Sequence, residues 1–274
     1  MVKYIYEGFK KLWLNKESNI GLLESYTCPF ELFFSLLKIN SSPVEITDTF
    51  NLLYTSISSV PDAASCAISA ELSNFPLFTT TSPLAVCLHA IKQAGKIFGS
   101  KVLITGSGPI GTLCVAAARR AGAQEIIVTD ISTNALKFSN SVGADKVINV
   151  YEQHDELKNY QSNKGYFDIA IECSGSAQGI SDSINCIKPK GTLIQLGLGG
   201  DVLIPLVSVT TKELNLKGSF RFHSEFELAV KMMKKKLIDV NPLITHKIDF
   251  KDAINGFEIA MNNNEKSMKV QLAF

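Results

Sequence analysis

The sequence predicts an α/β protein built on a doubly wound parallel Rossmann sheet, and three observations carry that expectation. Strand-like and helix-like segments alternate from about residue 100 onward, which is the pattern of βαβ units. Gly106, Gly108 and Gly111 form a GxGxxG turn directly between one strand-like segment and one helical segment. Glycine is unevenly spread, with only Gly8 and Gly21 before Gly95, and this sets a boundary near residue 80.

Taken in order, short apolar or β-branched runs place strands at 101–105, 125–129, 146–149, 167–172, 191–196 and 213–219. A helix is expected to begin at Ser82 and Pro83, with His89 packed on its apolar side. Ile110, Leu113, Cys114, Ala117 and Ala121 share one face of the next helix, and a third spans 132–142. Phe226, Ala229, Val230, Met233 and Leu237 share the face of a later helix, so the lysines of "KMMKKK" (231–236) fall on its solvated side. One helix and a last strand close the chain. The divisions expected are an atypical N-terminal segment at 1–80, a dinucleotide-binding domain at 81–240 and a C-terminal part at 241–274.

Composition narrows the function classes. A hydrophobic content of 46% in 274 residues suits a sizeable core, and a net charge of +1 argues against nucleic acid as a partner. No apolar run reaches the roughly 20 residues of a membrane helix, and no secretory leader is evident, so a cytoplasmic location is expected. Six cysteines without a CxxC pair read as buried free thiols.

The glycine turn points to a dinucleotide. The first glycine permits the tight turn, the second lets backbone approach a pyrophosphate, and the third allows close helix packing. The helix that follows offers unpaired N–H groups to the phosphates. Asp130, nineteen residues after Gly111, ends the second strand. There a carboxylate can accept hydrogen bonds from ribose hydroxyls and repel a 2′-phosphate, which favours NAD over NADP. Asp130 also reads as a turn or N-cap residue for the helix at 132–142. Two more glycine turns, "ECSGS" (172–176) and "QLGLGG" (195–200), follow later strands on the same expected edge.

These stretches, with "SPLAVCLHAIKQAG" (82–95), "GADKVINV" (143–150) and "KGSFRFHSEFELAV" (217–230), resemble the medium-chain zinc-dependent alcohol and polyol dehydrogenases, and within them the L-idonate and sorbitol dehydrogenase branch. The likeness covers about residues 80–274. It implies NAD-dependent oxidation of a secondary alcohol on a polyol or sugar acid. It also implies cofactor contacts from Gly106, Gly108, Pro109, Ile110, Gly111, Asp130, Ser174, Gly175, Leu196, Gly197, Ser219 and Phe220, with Arg221 orienting substrate. His223, two residues on, is a further candidate for substrate contact. A homo-oligomer through 213–220 is implied because the family extends its sheet across a dimer there. Zinc is expected of the family, but its site is not recognisable here.

The departures concern the family's GroES-like catalytic domain, of which little is legible. The "GHE" pair is absent, the first histidine of the chain is His89, and the acid before "PLAVCLHA" is replaced by Ser82. Residues 1–80 therefore read as the product of truncation or altered reading of a longer gene, or as an unfamiliar cap. Within them "CPFELFFSLLKI" (28–39) is helix-like and "NLLYTSISSV" (51–60) strand-like. Three functional readings stand: an NAD-dependent dehydrogenase, a dinucleotide-binding remnant without turnover, and a zinc-free NADPH reductase, which Asp130 disfavours.

Overall fold

The computed structural model describes residues 69–71, 78–262 and 266–273. The expected helix at 28–39 and the strand-like stretch at 51–60 lie outside the described residues. The chain runs through β1 (Ser69–Glu71), α1 (Phe78–Ala94), β2 (Lys101–Thr105), α2 (Pro109–Arg120), β3 (Glu125–Asp130), α3 (Thr133–Ser141) and β4 (Lys146–Asn149). It continues through α4 (His154–Lys158), β5 (Phe167–Glu172), α5 (Ala177–Cys186), β6 (Ile187–Gln195), α6 (Leu206–Thr211) and β7 (Asn215–Gly218). It closes with α7 (Glu225–Lys234), β8 (Ile244–Asp249), α8 (Ala253–Asn262) and β9 (Lys269–Ala273).

Six strands pair in the order β4-β3-β2-β5-β6-β7, all parallel. The winding direction reverses between β2 and β5, and an open sheet of this kind binds ligands in the crevice at the carboxyl ends beside that reversal. Both faces are covered, which explains the nearly continuous apolar runs. Alternate residues feed opposite layers: Val102 and Ile104 join the core under α1, α2 and α7, whereas Leu103 joins the core under α4 and α5.

Several boundaries differ from the sequence expectation, each for a local reason. The helix expected from Ser82 begins at Phe78, and Pro83 sits inside it, forgoing one backbone bond early in the helix. β6 starts at Ile187 rather than 191, because Ile187 pairs with Phe167 across an irregular register before the ladder resumes at Thr192, after "KPKG". α7 stops at Lys234, so Leu237 falls beyond it and is exposed, while Ala229 and Met233 are buried and the lysines face solvent.

The C-terminal part holds more than the helix and strand expected. β9 lies between β1 and β8 in a second, three-stranded parallel sheet, packed on α8 through Phe257 and Leu272. β8 is the added strand. Of the partners open to the last strand, residues 69–71 of the N-terminal segment supply one.

Candidate cofactor site

β2 ends at Thr105 and the backbone turns through Gly106 at φ +91°. A Cβ there would lie 2.9 Å from the Ser174 amide nitrogen, so glycine meets both the torsion and the close approach of the loop after β5. Gly108 is the N-cap of α2 and contributes no side-chain cap; the space a Cβ would take is open. A Cβ on Gly111 would fall 1.8 Å from the Gly106 carbonyl oxygen, so α2 sits directly on the turn. Pro109 occupies the first turn of α2, where a missing N–H costs nothing. The Thr112 amide donates to the Gly108 carbonyl at 2.9 Å, and the N–H groups ahead of it, Ile110 and Gly111 included, have no intrahelical acceptor. They are suited to an anion.

Asp130 braces this turn. Its Oδ2 accepts the Ser107 N–H at 2.6 Å and its Oδ1 the Ser132 N–H at 2.7 Å. The N-cap of α3 is Ser132, whose hydroxyl accepts from the Ala135 amide, so Asp130 is not the cap. It is half-buried, and its two oxygens have capacity for further bonds. Ser107 Oγ donates to the Ala135 carbonyl at 2.9 Å and meets Ser139 Oγ at 2.5 Å, which ties the turn to α3.

Across the reversal point, a residue without a role in the sequence reading organises the other half of the crevice. Glu172, fully buried at the end of β5, accepts the Ser174 and Gly175 amides at 2.8 and 3.0 Å and the Gln195 side-chain amide at 2.7 Å. Its carbonyl accepts the Leu196 and Gly197 amides at 2.9 and 2.8 Å. One side chain thereby fixes the loops after β5 and β6, and these donors satisfy its buried oxygens. Cβ atoms on Gly175 and Gly197 would collide with Leu198 and with the Gly175 nitrogen, at 2.7 and 2.2 Å, so the two loops interlock. Leu196 is buried in the core, so a ligand can meet only its backbone.

The loop after β7 completes the edge. The Ser219 amide donates to the Gln195 carbonyl at 2.9 Å, Phe220 is exposed, and Arg221 takes φ +57° with its guanidinium carbon 5.1 Å from the Phe220 ring centre. That torsion costs a non-glycine residue about 1 kcal/mol. Ser219 is 5% exposed, and its buried hydroxyl has no hydrogen-bond partner among the described residues, as a group awaiting a ligand would. A cavity of about 370 Å³ lined by Gly175, Gly197, Leu198, Leu216 and Gly218 opens beside this loop. All the candidate residues thus stand along one sheet edge, from Asp130 at the β3 end to Arg221 beyond β7.

The histidine readings divide. His89 is 8% exposed on α1, packed edge-on against His223 with ring centres 5.2 Å apart. His223 is exposed beside the loop. His246 sits in β8 with Nδ1 3.0 Å from Thr245 Oγ1.

Zinc does not fit the described residues. Among them, no group of three or more His, Cys, Asp or Glu side chains is arranged to hold a metal. Glu225, whose carboxylate lies 3.5 Å from His89, already holds the Lys92 ammonium at 2.9 Å. Buried Cys87 of α1, buried Cys114 of α2 and half-buried Cys173 form a thiol cluster, with Cys114 and Cys173 sulfurs 4.0 Å apart. Burial pushes the Cys87 thiol up, and contact with Cys114 together with burial pushes Cys173 well above the usual range. These are poor thiolate ligands.

Residues 109–235 match the family described as "Zinc-binding dehydrogenase". The chain is 37% identical over 193 residues to L-idonate 5-dehydrogenase (NAD(P)(+)) of Escherichia coli, covering 70% of this chain and 55% of that protein. It is 36% identical over 180 residues to sorbitol dehydrogenase of Ovis aries, covering 64% and 51%. The crystal structure of L-idonate 5-dehydrogenase from Escherichia coli superposes with a TM-score of 0.70 at 35% identity, over 73% of this chain and 57% of that one. The chain spans about half the length of the curated relatives it matches.

Proposed function

We propose, for a chain whose residues 109–235 match the zinc-binding dehydrogenase family, a nicotinamide-dependent role: it holds NAD for hydride transfer to or from a secondary alcohol carbon of a polyol or sugar acid. The observation that carries this reading is the pairing of the glycine turn with Asp130. Gly108 leaves open backbone beside the α2 N-terminus, and Asp130, at the end of β3 and bonded to the turn, presents a carboxylate suited to accept from ribose hydroxyls and unfavourable to a 2′-phosphate. When bound, the nicotinamide supplies the hydride-accepting carbon. The α2 amides hold the pyrophosphate, Asp130 the adenosine ribose, and the loops at Ser174–Gly175, Leu196–Gly197 and Ser219–Phe220 the nicotinamide end. Arg221 orients the substrate's oxygens. The names of the relatives support the polyol or sugar-acid class.

A second reading, dinucleotide binding without turnover, is favoured by the misfit of the described side chains to zinc and by the absence of histidine before His89 in the sequence. Calorimetric titration with NAD and NADP, followed by an assay of NADH formation from L-idonate and sorbitol, separates the readings. Tighter binding of NADP than of NAD overturns the assignment of Asp130. A cytoplasmic location belongs to the same proposal; among the described residues no helix is long and apolar enough to cross a membrane. The domain divisions at 1–80, 81–240 and 241–274 remain our proposal as well.

A further inference from the structure

The loop that bears Ser219, Phe220 and Arg221 is held at its far end by a device none of its own residues supplies. Glu225, in the first turn of α7 and only 3% exposed, accepts the His223 backbone N–H on Oε2 at 2.8 Å. Its other oxygen accepts the Lys92 ammonium from α1 at 2.9 Å. His89, one turn before Lys92, brings Nδ1 to 3.5 Å of Oε2, and its ring packs against His223. Two helices and the loop therefore converge on one carboxylate. At the near end the Ser219 amide is fixed to the Gln195 carbonyl at 2.9 Å. Between the two fixed ends Arg221 occupies φ +57°, a torsion that persists only where its surroundings over-determine it.

Burial alone would raise the Glu225 carboxyl. The Lys92 ammonium, the amides of His223 and Glu225, and His89 outweigh that and bring it to about 2, so the anion is kept at every pH at which the protein is handled. A buried, permanently charged carboxylate with donors from three directions is a rigid anchor.

We propose that Glu225, with Lys92 and His89, is a positioning residue for the nicotinamide end of the site: it touches no ligand and acts by holding the 219–223 loop in its ligand-ready form. The inference rests on the dinucleotide reading given above. It predicts an asymmetry that a merely structural role does not. The adenosine and pyrophosphate half of the cofactor is held by the turn at 106–111 and Asp130, far along the sheet edge from Glu225, so only the nicotinamide half feels its loss.

The test is calorimetric titration of the full chain with NADH and with ADP-ribose, which lacks the nicotinamide, for the unmutated protein, Glu225→Ala and the near-isosteric Glu225→Gln. Glu225→Ala should weaken NADH roughly tenfold, the scale of a lost hydrogen bond to a charged group, and leave ADP-ribose within about twofold. Glu225→Gln, which keeps an acceptor for the His223 amide, should fall between. Parallel weakening of both ligands, or no change in either, overturns the positioning role; should Glu225→Ala not fold, the Glu225→Gln ratio decides. An unmutated chain that binds ADP-ribose but not NADH also overturns it. Binding of neither ligand by the unmutated chain overturns the dinucleotide reading itself.

Discussion

Asp130 commits both carboxylate oxygens to the backbone before any ligand arrives, one to Ser107 within the glycine turn and one to Ser132 ahead of α3. Its removal should therefore act twice, by loosening the turn and by withdrawing the acceptor we propose for the ribose hydroxyls. We expect Asp130→Ala to weaken NAD binding by about 1–3 kcal/mol, with NADP gaining relative to NAD because a negative charge no longer faces its phosphate. Titration of both cofactors checks this, and an unchanged NAD to NADP ratio counts against a ribose role. At this scale the glycines and Asp130 were legible because their demands are local: a positive φ at Gly106, a contact five residues away at Gly111, a carboxylate at a strand end. Glu172 and Glu225 were not. Glu172 stands inside "ECSGS", but its partner Gln195 lies 23 positions on, and Lys92 is 133 positions from Glu225. Nothing in a single sequence announces such pairings.

Between elements, Lys212 does what no side chain of α5 does for its own end. It follows α6, and its ammonium donates to the carbonyls of Ile184, Asn185 and Ile187 at 3.0, 2.8 and 3.1 Å, closing the C-terminus of α5, where a cation is favoured. Burial pushes this lysine's pKa down, so part of the gain offsets desolvation. Lys212→Met keeps the stem and deletes the donors, and should destabilise the fold by about 1–3 kcal/mol, the range for hydrogen bonds to a charged group. Chemical denaturation reads this as a shifted midpoint at constant slope; no shift would mean that water caps α5 equally well. The central strands of the large sheet were legible because burial on both faces makes them short apolar runs, as in "KVLIT" and "EIIVTD". β8 was not, since "ITHKID" alternates poorly and is mostly half-buried or exposed. Pro83 misplaced the start of α1 because a proline marks a first turn more often than it sits within a helix.

At the scale of the molecule, two consequences follow from what the sheets leave bare and what the site contains. All four residues of β7 are exposed, as are Leu203, Leu206 and Val207 shortly before it in the chain, and among the described residues no further strand pairs with this parallel edge. We propose that a second copy covers it, through 213–220; light scattering at micromolar concentration should give at least a dimer, and a monomer would count against this. The second consequence concerns turnover. The candidate cofactor residues lie along one sheet edge among the described residues, whereas no described cluster suits zinc, and the Glu225 carboxylate beside His89 is engaged by Lys92. Holding a cofactor lowers no chemical barrier by itself, because acceleration requires interactions that strengthen in the transition state. Arg221 is proposed to orient a substrate oxygen, but among the described residues no side-chain cluster is arranged to hold a metal ion beside it. We therefore expect the chain to bind NAD and yet to oxidise L-idonate, sorbitol and simple secondary alcohols far more slowly than the ~10 s⁻¹ typical of enzymes, even with zinc supplied. Metal analysis of the purified chain alongside NADH formation decides the matter. One zinc per chain with turnover near that rate would show that residues beyond those described complete the site, and would restore the full dehydrogenase reading; tight NAD binding with neither would leave the chain a binder of the dinucleotide.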